Sequence, residues 1–159
     1  MADVGDDVWM GEALELARTA AAEQEIPVGA VIVRDQKIIG RGYNQPIKSN
    51  DPSAHAEMVA IRDACSALAN YRIPNTTLYV TIEPCTMCLG AIVHARIDQV
   101  VFAAKEPKAG ALTSHPEALD ADYFNHKIEW YGGVCESEAN ALMQAFFKQR
   151  RQAKAEGPG

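Results

Sequence analysis

The chain has 159 residues, 48% apolar and 23% charged, with a net charge of −6. That length suits one soluble domain over 1–159 with a sizeable core, and the composition excludes a disordered or collagenous chain. The acidic total argues against indiscriminate nucleic-acid binding, but the charge is uneven. Lys148, Arg150, Arg151 and Lys154 against Glu156 leave 148–159 at +3 and the rest at −9.

The acidic start at Met1–Asp7 lacks the apolar stretch of a signal peptide, and no run is long enough to span a bilayer. A cytoplasmic protein with no membrane association is expected, its four cysteines free thiols or metal ligands. Met10, Ala13, Leu14, Ala17, Ala20 and Ala21 recur at helical spacing and predict a helix over Asp7–Glu25. Val28–Val33 is short, apolar and β-branched, so it reads as a buried strand. A turn at Asp35-Gln36 leads to a second strand, Lys37–Tyr43, and the two form a hairpin. Asn44–Ser53, with two Pro, two Asn and an Asp, reads as loop. A helix follows over Ala54–Leu68, with Ser53 as its cap.

Asn75–Ile82 predicts a third strand, Cys85–Ala95 a helix beginning just after Pro84, and Gln99–Ala104 a fourth strand. Lys105–Asn125 reads as irregular, with a helical turn around Glu117–Ala121. Lys127–Tyr131 is the fifth strand. Glu136–Lys154 is a closing helix with apolar Ala139, Leu142, Met143, Phe146 and Phe147, and 156–159 a flexible tail. Alternation of strand and helix after the hairpin implies right-handed parallel crossovers. The expected fold class is α/β: a mixed five-stranded sheet between helices, in three α/β/α layers.

Cys85 and Cys88 share one face at a helix start, where the helix dipole lowers thiol pKa and favours metal binding. Cys-x-x-Cys alone fits equally a redox pair or half of a structural zinc site. A structural site needs four protein ligands, and Cys65 and Cys135 read as core thiols, while His94, His115 and His126 lack matching spacing. His55, Cys85 and Cys88 therefore make three ligands and one open position, the catalytic pattern for Zn2+. Glu57 stands two residues past His55 and, on a helix, points elsewhere, so it can approach a metal-activated water instead of the metal.

His-x-Glu joined to Pro-Cys-x-x-Cys is the signature of zinc-dependent nucleobase deaminases. The likeness goes further. Asp51-Pro52-Ser53-Ala54-His55-Ala56-Glu57, Thr81-Ile82-Glu83-Pro84-Cys85-Thr86-Met87-Cys88, Pro27-Val28-Gly29-Ala30-Val31 and Phe146-Phe147-Lys148-Gln149-Arg150-Arg151 resemble the bacterial tRNA-specific adenosine deaminases, from about Trp9 to Arg151. That resemblance implies a cytidine-deaminase-like fold, a homodimer with one zinc per subunit, and conversion of the wobble adenosine of a tRNA anticodon stem-loop to inosine. It implies that Asn44 contacts the flipped base and that Ala30 and Ala56 line its pocket. It also places Asn125 and His126 near the substrate loop, and sets Phe147, Arg150 and Arg151 against the anticodon loop. The basic tail is independently consistent with RNA contact.

The chain departs from the family's usual Asp-x-Lys-x-Gly pattern in 106–114. Glu106 replaces Asp ahead of Lys108, and Thr113 replaces Gly, a residue with easy access to positive φ. The resemblance places this loop beside the substrate, with Glu106 and Lys108 as substrate-binding residues, so RNA affinity or substrate choice is the property that it exposes to change. Two rival readings stand beside the tRNA deaminase. A deaminase of free guanine or cytosine has no need of a basic outer helix. A catalytically silent zinc-stabilised RNA-binding module has no use for Glu57 or an open ligand position.

Overall fold

The computed structural model describes residues 4–156. In chain order it contains α1 (Asp6–Ala22), β1 (Gly29–Arg34), β2 (Lys37–Tyr43), α2 (Pro46–Ser49), α3 (Ala56–Leu68), β3 (Thr77–Ile82), α4 (Thr86–His94), β4 (Gln99–Ala104), β5 (Glu129–Gly132) and α5 (Glu136–Glu156). The strands form one mixed sheet in the order β2-β1-β3-β4-β5. β1 is antiparallel to both β2 and β3, and β3, β4 and β5 are mutually parallel. The α/β expectation holds, with the hairpin supplying the antiparallel edge. Asp35 and Gln36 close that hairpin with φ of 52° and 60°, the two positive values that a two-residue turn needs to match strand twist.

α1 and α5 cover one face of the sheet, and α3 covers the other with α4 beside it. Buried Val31, Ile32, Leu78, Val80, Val100 and Phe102 form the apolar centre. Small residues let α3 lie very close to the strands. A Cβ on Gly42 would stand 2.3 Å from the Ala56 carbonyl oxygen and 2.5 Å from the Ala60 nitrogen. The start of α3 is thus fixed on the sheet by contacts that only glycine permits.

Several expected boundaries move. α1 ends at Ala22, because Gln24 takes a φ of 66° and turns Glu25 inward, where it is 2% exposed. The 44–53 loop contains α2, whose Ile47 and Lys48 amides donate to the Glu25 carboxylate at 3.2 and 2.7 Å. α3 begins at Ala56, and Ser53 is not its cap. The Ser53 hydroxyl is bonded instead to Asp51. The Asn44 side chain, brought up by the end of β2, accepts from the Ala56 amide at 2.8 Å and satisfies the first free donor of the helix. The 105–128 segment is turns and bends, including turns at 116–120, and β5 starts at Glu129. α5 continues to Glu156, and 157–159 of the expected tail lie outside the described residues.

Candidate metal centre and active-site cavity

Two helices begin at the site. His55 is the N-cap of α3 and Cys85 the N-cap of α4, both with extended backbone and neither making a side-chain cap bond. Their side chains are thereby free to turn toward each other. Cys88 follows in the first turn of α4 and is fully buried. The His55 Nδ1 atom stands 3.6 Å from the Cys85 Sγ and 3.6 Å from the Cys88 Sγ.

Tetrahedral zinc with Zn–S near ~2.3 Å and Zn–N near ~2.05 Å requires an S···N separation of about 3.6 Å. The trio fits that ion in both donor type and spacing. Among the described residues it is the one cluster of His, Cys, Asp or Glu side chains close enough to hold a metal. Cys65 and Cys135 are half-buried against the core and take no part.

The electrostatics favour cation binding. Hydrogen bonding from Cys88 outweighs the cost of burial and, with His55 nearby, holds the Cys85 thiol down to about 4. Hydrogen bonding to Cys85 and burial push the Cys88 thiol up. The contact with Cys85 raises His55, against its burial.

Glu57 sits on the second helical position of α3 and is 4% exposed. Burial raises its carboxyl to about 7, well above the usual carboxylate range. Glu57 is not part of the His55–Cys85–Cys88 cluster. His55 precedes the helical turns, with φ −70° and ψ 155°, so the angular rule for residues two apart in a helix does not apply. His55 and Glu57 line one cavity.

That cavity, of about 260 Å³, is bounded by Ile26, Val28, Asn44, His55, Glu57, Ile82, Glu83, Cys85, Glu106, Ala109, Met143 and Phe147. It lies where β1 begins, β2 ends and β3 ends. Its size is just below the ~300 Å³ lower bound for drug-sized pockets, which suits one flat ring more than a whole nucleotide. Asn44 uses its carboxamide oxygen on Ala56, which leaves its NH2 as the donor available to a bound ring.

Glu106 borders the cavity, and one of its carboxylate oxygens accepts from the Lys108 amide at 2.9 Å. Lys108 itself is exposed and does not line the cavity. Thr113 does not adopt positive φ, so replacement of glycine there costs no backbone strain.

Other predicted contacts are placed differently. Ala30 and Ala56 are fully buried and are not lining residues, because both lie in the tight packing between sheet and α3. Asn125 and His126 are not brought to the cavity. The 105–128 segment carries the chain back to the start of β5, and the His126 Nε2 is bonded to the Ile97 carbonyl at 2.7 Å, at the opposite end of β4. His126 lines a separate cavity with Leu119–Asp122, Phe124, Lys127 and Ile128.

On α5, Phe146 is buried and Phe147 is part of the cavity wall. The Arg150 guanidinium lies 4.7 Å over the Phe146 ring and lines a small recess with Glu25, Ile26, Asn44, Pro46 and Ile47. Ile26 and Asn44 are shared with the main cavity, so Arg150 stands at its edge. Arg151 is exposed.

Sequence reasoning gave no role to Glu25, Glu83, Ile26 or Met143. The signal for the two glutamates is slight: each flanks an apolar strand, Glu25 two residues before Pro27 and Glu83 directly before Pro84.

Residues 4–104 match the family described as the cytidine and deoxycytidylate deaminase zinc-binding region. The chain belongs to that deaminase family. Among relatives of this family member, a tRNA-specific adenosine deaminase of Haemophilus influenzae is 48% identical over 150 residues, covering 94% of this chain and 87% of the relative. One from Bacillus subtilis is 42% identical, covering 94% and 92%. A solved structure from a study of A-to-I editing by tRNA:A34 deaminases at the wobble position superposes with a TM-score of 0.83 at 42% identity, covering 85% and 98%. A guanine deaminase from Nitrosomonas europaea, 23% identical with a TM-score of 0.73 over 92% and 86%, shares the fold.

Proposed function

We propose that this chain hydrolyses the exocyclic amine of adenosine at the wobble position of a tRNA anticodon, consuming water and releasing inosine and ammonia. A buried Glu57 facing the same small cavity as the His55–Cys85–Cys88 trio carries this reading. The names of the relatives support the substrate.

His55, Cys85 and Cys88 would hold one zinc per chain. When bound, it supplies a Lewis acid that makes water nucleophilic near neutral pH. Glu57 takes one proton of the attacking water on a carboxylate oxygen and delivers it to the ring nitrogen, then takes the second from the hydroxyl now on the ring carbon and passes it to the departing amine, so that both protons of the water are used. Asn44 donates from its NH2 to the ring and fixes its orientation. Ile26, Val28, Met143 and Phe147 flank the ring and exclude bulk water. Arg150 and Arg151 engage the backbone or base planes of the anticodon loop outside. The wobble base must leave its stack, which costs less in a loop than in a duplex.

A single deaminase domain, a homodimer and a cytoplasmic site of action complete the proposal. No helix among the described residues is long and apolar enough to cross a membrane.

The test is deamination of an anticodon stem-loop against free adenosine, guanine and cytosine, with Glu57→Gln as control. Inosine formed in the stem-loop by the wild type, with zinc retained but activity lost in the variant, is expected. Turnover confined to a free base refutes the RNA assignment.

A further inference from the structure

Glu83 is 3% exposed and lies between β3 and Cys85. Its carboxylate accepts four hydrogen bonds, all from one loop. One oxygen takes the Glu106 amide at 3.1 Å and the Ser114 hydroxyl at 2.7 Å. The other takes the Leu112 and Ser114 amides at 3.0 and 2.9 Å. A carboxylate offers about four lone-pair sites, so none is left for a metal or a transferred proton.

The 106–114 loop has no regular secondary structure, and its amides depend on such partners. It is pressed onto Glu83: a Cβ on Gly110 would fall 2.3 to 2.6 Å from the carboxylate atoms. The Ala111 amide, bonded to the Pro84 carbonyl at 2.8 Å, continues the seam. Glu106 and Ala109, on this loop, are part of the cavity wall.

We propose that Glu83 is a positioning residue: it fixes the 106–114 loop as a substrate-facing wall and so sets where Glu106 stands in the cavity that Asn44 also lines. The effect on substrate rests on the RNA-deaminase reading; the clamp itself does not. In Glu83→Gln, an NH2 replaces one acceptor and faces donors.

Three variants separate the roles: Glu83→Gln; Ser114→Ala, which removes one donor and leaves the Glu83–Cys85 strand end untouched; and Gly110→Ala, whose added Cβ presses on the Glu83 carboxylate from the loop side. Zinc content, amide exchange at Leu112 and Ser114, and stem-loop kinetics are measured on each. In Glu83→Gln we expect exchange at both amides to accelerate and KM to rise by about tenfold or more, with kcat changed less and zinc retained. Ser114→Ala and Gly110→Ala should raise KM in the same direction by smaller factors.

Wild-type exchange rates in Glu83→Gln would overturn the clamp, whatever the substrate. Faster exchange with KM unmoved in all three variants would overturn the positioning role, as would a loss of kcat and zinc with KM unmoved. If Glu83→Gln does not fold, the two loop-side variants decide by the same readings. A wild type inactive on the stem-loop would defeat the functional reading, and the exchange measurement would still decide the clamp.

Discussion

Replacing Gly42 by alanine tests whether the metal site depends on how closely α3 lies on the sheet. The new Cβ would meet the Ala56 oxygen at 2.3 Å, the Ala60 nitrogen at 2.5 Å and the Val59 Cβ at 2.9 Å. The first two are backbone atoms and cannot rotate away, so the first turns of α3 must lift by about 1 Å to restore ordinary contact. His55 and Glu57 ride on that end of the helix, whereas Cys85 and Cys88 ride on α4. The trio therefore opens. Overpacking of this kind costs about 1–3 kcal/mol of stability, and a misplacement of ~1 Å at a reacting centre costs on the order of 10²-fold in rate. Thermal melts, zinc titration and kcat on the stem-loop should show a folded protein with weaker zinc binding and a hundredfold slower reaction. Gly90→Ala, on α4 with nothing within 4 Å of the added atom, is the control and should be neutral or stabilising. A Gly42→Ala protein with wild-type zinc affinity and kcat would refute the claim that this contact places the ligands.

Dialysis against a zinc chelator should abolish deamination and lower the melting temperature while leaving far-ultraviolet circular dichroism unchanged, because the buried sheet core is independent of the trio. Unfolding on chelation would show that the ion is structural. Arg150→Ala combined with Arg151→Ala should weaken stem-loop binding and flatten its dependence on salt by up to ~2 in the log–log slope, with zinc content intact; an unchanged slope would remove α5 from the RNA interface. At alkaline pH, Tyr131 offers a further check. Burial, its bond to Asp6 and the charge of Asp6 push its hydroxyl up to about 12, above the unfolded value near ~10. A raised tyrosine favours the folded state below the unfolded pKa, and that contribution is lost as pH rises from ~10 toward 12. Melting temperature should fall over that window, and less so in Tyr131→Phe; equal falls in both proteins would count against the Asp6 link.

The metal trio was legible in the sequence because its spacing carries chemistry: Cys-x-x-Cys at a helix start and His-x-Glu at another have few other uses in combination. Four strands were legible from apolar or alternating runs ended by turn residues; the fifth, short and largely exposed, carries no such run and starts two residues later than expected. What escaped was set by contacts distant in the chain. Ser53 resembles a helix cap, but His55 holds the cap position and the bond to the first free amide comes from Asn44, at the end of β2. Glu25 and Glu83 looked like ordinary acids, and only folding shows each accepting the amides of a loop some twenty or thirty residues away. Asn125 and His126 stand in a segment without periodicity, whose path to the far end of β4 is fixed by tertiary contacts.

The cavity wall contributed by α5 has a consequence for synthesis. The metal ligands and Glu57 all lie within the first 88 residues, on elements that join a sheet whose strands are complete by residue 132. Met143 and Phe147 come later. As a chain emerges from the ribosome, its ion site can assemble before the wall that receives a base exists. The order of synthesis thus separates the residues of the ion site from those that close the cavity around a base.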